Sequence, residues 1–235
     1  MQIIAPTYIT DDTLIYSDIP ELEGTFVEWD SVTAYVVGQR VVVTADSIHR
    51  VYECAWGNGN INKYPPDNLA GSPTWWFMIS ATNRWKLFDM IVAPERAHVA
   101  VNVIPSIWEA ATEWEAGTEW APEDYSSAVV TVAPGEIDTV ALMNIDCTSI
   151  SIIMTDPIAG EVYNQTKIPS VTEYFNAIYS GLPSYPNAET TVLVRNTGGD
   201  INIGELIVGK ARTIGKAKYG VSVGLVDYSA KSADA

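Results

Sequence analysis

Short apolar segments dominate the hydrophobic pattern of this chain. Most of them alternate apolar with polar positions or consist largely of β-branched residues, and glycine, proline or asparagine separates them. The clearest are TLIYS (13–17), VGQRVVVTA (37–45), VYECAW (51–56), AVVTVAP (128–134), VALMNI (140–145), SISIIMTD (149–156), TVLVRN (191–196) and INIGELIVGK (201–210). Strands of this length with turn residues between them predict an all-β fold, a sandwich or a barrel. We expect a jelly-roll-like β-sandwich.

One segment shows a different pattern. In SVTEYFNAIYSGL (170–182) the apolar positions fit a short helical turn, with Ser170 as its N-cap and Gly181 at its end. We therefore expect one helical turn in an otherwise β-rich chain.

Residues 29–83 have a character of their own. An aromatic-rich hairpin is followed by a long loop of asparagine, glycine and proline and then by two adjacent tryptophans. The segment is too short for a large core, so its aromatic rings must supply much of the buried area. We predict a small β module, residues 29–83, inserted into a discontinuous sandwich domain formed by residues 1–28 and 84–235.

Composition narrows the classes of partner. The 235 residues carry a net charge of −16, which argues against nucleic acid, because phosphates select lysine and arginine. No apolar run reaches the roughly 18 residues that cross a bilayer, and the N-terminus lacks a secretory signal pattern. Cys54 and Cys147 are far apart and there are two histidines, so we expect buried free thiols and neither metal nor cofactor. The alternative is a single disulfide between the two cysteines.

Acidic residues and tryptophans alternate in one stretch. No lysine or arginine lies between 101 and 166, whereas Trp108, Trp114 and Trp120 stand among closely spaced glutamates. Two carboxylates beside aromatic rings could serve a glycosidase, but that chemistry needs one desolvated acid, and so dense a run favours a solvated loop. We expect these three tryptophans to form an assembly interface, since tryptophan is frequent in interface hot spots.

The module carries a recognisable pattern. The order of Trp29, Tyr35, Gly38, the valines 41–43, Tyr52, two prolines and Trp75 resembles the small chitin-binding modules found on chitinases. The sequence departs from that pattern at Gln39, where aspartate is usual, and in a longer loop after Trp56. The resemblance implies a carbohydrate-binding-like fold and specifies the ligand weakly.

The flanking segments extend the resemblance over most of the chain. ITDDTLIYSDIPE (9–21), NRWKLFD (83–89) and DYSAKSAD (227–234) look like a family of tailed-bacteriophage virion proteins in which such a module is inserted in a β-sandwich. This resemblance implies a virion protein of the phage tail, located at the tip, baseplate or fibre attachment. Its partners would be other tail proteins and further copies of itself in a symmetric ring.

Two groups of module residues are candidates for function. The first would stack on sugar rings and comprises Tyr35, Trp56, Tyr64, Trp75 and Trp76. Trp75 and Trp76 should face opposite sides of a strand, so one of them should be exposed, whereas Trp29 and Tyr52 are expected in the core. The second group would fix the module to the sandwich and comprises Asn83, Arg84, Trp85 and Asp89, with the Arg84 guanidinium over the indole and against the Asp89 carboxylate.

The sequence thus predicts a non-enzymatic structural component of a phage tail that acts by assembly and contacts host-surface glycans. Two alternatives stay open. In the first, the protein is a host-glycan adhesin in which the inserted module is the functional site. In the second, it is a glycosidase that degrades a surface polysaccharide.

Overall fold

A computed structural model describes residues 2–21, 26–44, 48–57, 60–89, 96–99, 125–169, 175–197 and 199–213 of the chain. In these ranges the ordered elements are strands and two 3₁₀ turns, Pro65–Asn68 and Trp85–Leu87. The strands are β1 Gln2–Pro6, β2 Leu14–Ser17, β3 Val27–Glu28, β4 Arg40–Val43, β5 Arg50–Cys54, β6 Trp76–Ala81, β7 Ala97–Val99, β8 Tyr125–Val132, β9 Thr139–Ile145, β10 Ser149–Asp156, β11 Gly160–Lys167, β12 Phe175–Ser180, β13 Glu189–Thr197, β14 Ile201–Ile203 and β15 Glu205–Thr213. No helix in the described ranges is long and apolar enough to cross a membrane.

Two antiparallel sheets form a β-sandwich, which confirms the predicted all-β fold. One sheet has the strand order β11-β10-β13-β8-β2 and the other β1-β15-β9-β12, while β7 and β14 form a small additional pair. Alternate residues of β10, among them Ile150 and Ile152, share one buried cluster with Val140 and Leu142 of β9. This is the packing that period-two patterning specifies, because every second side chain points to the same face.

The predicted helical turn at 170–182 is wrong over the part that the structure describes. Residues 175–180 form β12, which pairs with β9. Ala177 and Tyr179 point into the core, and the Tyr179 hydroxyl donates a 2.7 Å hydrogen bond to the Ile150 carbonyl oxygen. The apolar residues of this segment are spaced as in a helix, but burial of every second side chain favours the strand. Gly181 follows the strand with a φ of 78°, a conformation that glycine adopts readily.

The four remaining strands form a separate sheet in the order β3-β4-β5-β6. Its buried residues make a second cluster, distinct from the sandwich core: Tyr35, Val41, Val43, Tyr52, Cys54 and Trp76. Ala81, Trp85, Leu87 and Phe88, which follow along the chain, belong instead to the sandwich cluster. We call the sheet β3–β6 with its core the module and the other sheets the sandwich. The predicted boundaries of an inserted module and a discontinuous sandwich stay a prediction.

Both cysteines are free and buried, as predicted. Cys54 lies in the core of the small sheet and Cys147 in the sandwich. Burial, with a smaller contribution from the negative charge of Asp146, raises the pKa of the Cys147 thiol to about 12. That thiol is therefore protonated at neutral pH and is a poor nucleophile.

Candidate functional site

Tyr35 and Trp76 form the centre of the module core. Their exposed fractions are 4% and 0%, and their rings meet edge to face with centroids 5.3 Å apart. The Trp76 Nε1 donates a 2.7 Å hydrogen bond to the Lys63 carbonyl oxygen, and the Tyr35 hydroxyl accepts one of the same length from the Asp30 backbone N–H. Their prediction as sugar-stacking residues is therefore corrected, because a ring enclosed by protein has no face to offer a ligand.

Tyr52 is buried as predicted, and Trp29 is partly buried at the edge of the same core.

The turn between β3 and β4 is closed by Gln39, whose Oε1 accepts a 2.7 Å hydrogen bond from the Val36 N–H. The residue that departs from the chitin-binding pattern thus has a structural role in this turn.

Asn60 fastens the long polar loop to the core. It is fully buried, and its Oδ1 accepts a 3.0 Å hydrogen bond from the Tyr35 N–H. Its Nδ2 donates to the Tyr35 carbonyl oxygen at 2.7 Å and to the Cys54 sulfur at 3.1 Å. Sequence reasoning missed this residue, because Asn60 stands in a run of asparagines and glycines and no local feature distinguishes it.

Three partly buried aromatic residues, Trp29, Tyr64 and Trp75, pack on the outside of this core. Trp29 and Tyr64 meet edge to face with centroids 5.1 Å apart. The Lys63 ammonium nitrogen lies 5.3 Å from the centroid of the Trp75 ring, which is within the range of a cation–π contact. These three rings therefore combine a fixed position with a partly accessible surface.

Trp56 is the most exposed tryptophan of the described residues, at 48%. It follows Ala55, whose N–H donates a 2.8 Å hydrogen bond to the Trp75 carbonyl oxygen, so the two tryptophan backbones are close. The chain after Trp56 passes near the β3–β4 turn, because a Cβ at Gly57 would lie 3.3 Å from the Tyr35 carbonyl oxygen. We call Trp29, Trp56, Tyr64 and Trp75 together the aromatic surface.

The junction between the module and the sandwich is built around Glu21 rather than Asp89. The Arg84 Nη1 lies 3.2 Å from the Glu21 Oε2, and its Nε donates a 3.0 Å hydrogen bond to the Ile19 carbonyl oxygen. The predicted Arg84–Asp89 pair is therefore corrected. Glu21 lies 63 positions before Arg84, so its role has no local sequence signal.

The other predicted junction residues are buried at this point. The Asn83 amide donates to the carbonyl oxygens of Pro20 and His98 and accepts from the His98 N–H. Trp85 is buried in the sandwich cluster and packs on Phe88, with ring centroids 5.8 Å apart. The structure thus brings Asn83, Arg84 and Trp85 together where the chain returns from module to sandwich.

His49 adds a contact that the sequence did not suggest. Its Nδ1 lies 2.9 Å from Glu21 Oε1 and its Nε2 3.1 Å from Asp11 Oδ1, and its ring packs on Trp85 at 4.9 Å between centroids. The Thr82 hydroxyl donates a 2.5 Å hydrogen bond to the same Glu21 oxygen. Glu21 therefore connects three polar side chains that come from the module segment and its return.

A cleft of about 140 Å³ opens beside this junction. Its lining residues include Glu21, Arg40 and Lys86, and among the lining residues that the structure describes Glu21 is the one carboxylate. A glycosidase uses two carboxyl groups roughly 5–10 Å apart, so this cleft does not supply that pair. The predicted interface residues Trp108, Trp114 and Trp120, with the glutamates around them, lie outside the described residues.

The chain matches several solved structures, among them a lectin domain and a carbohydrate-binding module of low similarity. No protein-family model and no curated protein matches the chain. The lectin domain of lectinolysin complexed with Lewis B antigen is 12% identical, covers 53% of this chain and 82% of its own, and has a TM-score of 0.34. The family 32 carbohydrate-binding module from C. perfringens NanJ in complex with galactose is 15% identical, covers 54% and 82%, and has a TM-score of 0.33. At these scores the similarity supports no inference about function.

Proposed function

We propose that this protein is a host-glycan adhesin, the first of the two alternatives above. It binds glycans through the aromatic surface of its module. The observation that carries the proposal is the exposure of Trp56, whose backbone neighbours that of Trp75, together with the partly accessible rings of Trp75 and Tyr64. Indole and phenol faces bind the apolar C–H faces of sugars by removing both from water, while the sugar hydroxyls stay hydrated.

The rigidity of the surface supports the same function. Tyr64 packs on Trp29, and Trp75 packs on a core that contains the buried Trp76. A ring already held in place loses little side-chain entropy when a ligand binds, which favours affinity. A sugar that covers roughly 60 Å² of one indole gains about 1.5 kcal/mol, or about ten-fold in affinity.

Binding of the full chain to a glycan array, followed by titration calorimetry with an oligosaccharide that it retains, tests this function. We expect Trp56→Ala and Trp75→Ala each to weaken binding about ten-fold with unchanged circular dichroism. Tyr16→Ala is the matched control, because Tyr16 is 54% exposed but lies on β2 of the sandwich, outside the aromatic surface. A wild-type chain that binds no glycan, or equal losses in all three variants, would refute the proposal.

The biological setting that we propose is a bacteriophage tail, where the protein acts in a symmetric ring with other tail proteins. This part rests on the sequence resemblance. Asn83, Arg84 and Trp85 of the NRWKLFD segment, which carries part of that resemblance, lie where the chain returns from the module to the sandwich. Antibody labelling of purified particles should place the protein on the tail, and labelling absent from the tail would refute this setting.

We also propose that the protein is not an enzyme. In the part of the chain that the structure describes, the junction cleft offers Glu21 as a carboxylate that is already paired with Arg84 and hydrogen-bonded to Thr82. Incubation with the glycans that the chain binds should release no reducing sugar. Release that disappears after a single Glu→Gln change would establish the glycosidase instead.

A further inference from the structure

Lys63 occupies a fixed position inside the aromatic surface. Its backbone N–H donates a 3.1 Å hydrogen bond to the Asn60 carbonyl oxygen, and its own carbonyl oxygen accepts the hydrogen bond from the Trp76 indole. Both partners are fully buried. The side chain is half-buried and its ammonium group lies over the Trp75 ring. The charge of Lys63 is therefore held beside the ring that we propose as a sugar platform.

The Lys63 ammonium group has no carboxylate partner within 4.0 Å among the described residues. In the same module, Arg40 pairs with Glu53, and at the junction Arg84 pairs with Glu21. The contact of Lys63 with Trp75 leaves N–H donors of the ammonium group available to a ligand, since an aromatic face does not use all three.

We propose that the module selects acidic glycans, with Lys63 binding the carboxylate of a uronic or other acidic sugar whose ring stacks on Trp75. This inference rests on the proposed glycan-binding function and names its substrate class. The ammonium group lies over the indole, so a stacking sugar takes its place on the ring. The lysine side chain, displaced to the edge of the ring, then donates a charge-assisted hydrogen bond to the acid. A neutral sugar stacks on Trp75 but forms no charge-assisted hydrogen bond with Lys63.

The net charge of −16 acts in the opposite direction, because it repels an anionic glycan. Charges more than about 8 Å from the ligand are largely screened at physiological salt, however, whereas a contact pair is screened less. A partly exposed ion pair contributes up to about a five-fold gain in affinity. We therefore expect a modest preference for acidic over neutral oligosaccharides of the same length at physiological salt.

The test compares two oligosaccharides of equal length, a neutral N-acetylglucosamine oligomer and a hyaluronan oligomer that alternates this sugar with glucuronate. Affinities of the full chain are measured by calorimetry at 0.15 M salt. Lys63→Gln removes the charge and Lys63→Arg keeps it. Lys167→Gln is the matched control, because its ammonium group also lies over a ring, that of Tyr179, but in the sandwich.

The wild-type chain, Lys63→Arg and Lys167→Gln should bind hyaluronan about five-fold more tightly than the neutral oligomer. Lys63→Gln should bind both about equally and keep its affinity for the neutral one. A wild type without preference, or a preference that survives Lys63→Gln, overturns this inference and leaves glycan binding intact. Failure to bind either oligomer or any arrayed glycan overturns both proposals.

Discussion

Replacing Trp76 with alanine tests whether this residue belongs to the module core or to the sugar-binding surface. The indole is fully buried, meets Tyr35 edge to face, and hydrogen-bonds the Lys63 carbonyl oxygen. Large aromatic-to-alanine changes in cores lower the free energy of unfolding by about 3–5 kcal/mol, and the lost hydrogen bond adds about 1 kcal/mol. We expect Trp76→Ala to destabilise the module by about 4–6 kcal/mol.

The assay must report on the module itself, because the sandwich has its own core and the chain need not unfold in one step. Hydrogen exchange of peptides that cover β5 measures the opening of the module sheet directly. Trp75→Ala is the control, and its half-buried ring should lower protection by less than about 2 kcal/mol. If protection of β5 in Trp76→Ala fell by less than 1 kcal/mol, the assignment of Trp76 to the core would be wrong.

Three further changes test other parts of the structure. Asn60→Ala leaves the buried N–H and carbonyl oxygen of Tyr35 without their partners, and should lower stability by about 2–4 kcal/mol in thermal unfolding followed by tryptophan fluorescence. Glu21→Gln removes the charge that pairs with Arg84 and should lower the free energy of unfolding in urea by about 1 kcal/mol. The hydrogen bond from the Thr33 hydroxyl, then that from the Val32 N–H, lowers the pKa of Asp30. Its stabilising contribution is therefore present above the ordinary value of 3.8 and lost as pH falls through the lowered pKa, so acid-unfolding curves of Asp30→Asn should be flatter below pH 4.

β10 of the sandwich was predictable because it carries an unambiguous period of two. In β10 every second residue from Ile150 to Met154 is buried, so the printed pattern and the packed face coincide. β12 was not predictable, since the spacing of Phe175 and Ile178 also suits a helix and the strand is decided by pairing with β9. Where a local sequence pattern suits both a helix and a strand, tertiary contacts decide which of the two forms.

The candidate site was predictable to a lesser degree. Alternation correctly required Trp75 and Trp76 to differ in exposure, but which ring is buried depends on the face that β6 turns towards Tyr35. The partners of Arg84 and Tyr35 could not be predicted, because Glu21 and Asn60 are 63 and 25 residues away in the chain. Hydrogen bonds between such distant residues exist only once the fold has formed.

The small size of the aromatic surface links the proposed glycan binding of one chain to the proposed ring of copies in a phage tail. One or two stacked sugars at about 1.5 kcal/mol per indole give a weak site, with a dissociation constant of about 6–80 mM. Such a site retains a particle on a cell only when several copies bind the same glycan surface, since each further contact then becomes intramolecular. The proposed symmetric ring would present those copies, and Glu21 and Arg84 would hold each module in a fixed orientation on its sandwich. If both proposals hold, we expect weak glycan binding by one chain and strong retention by the assembled tail.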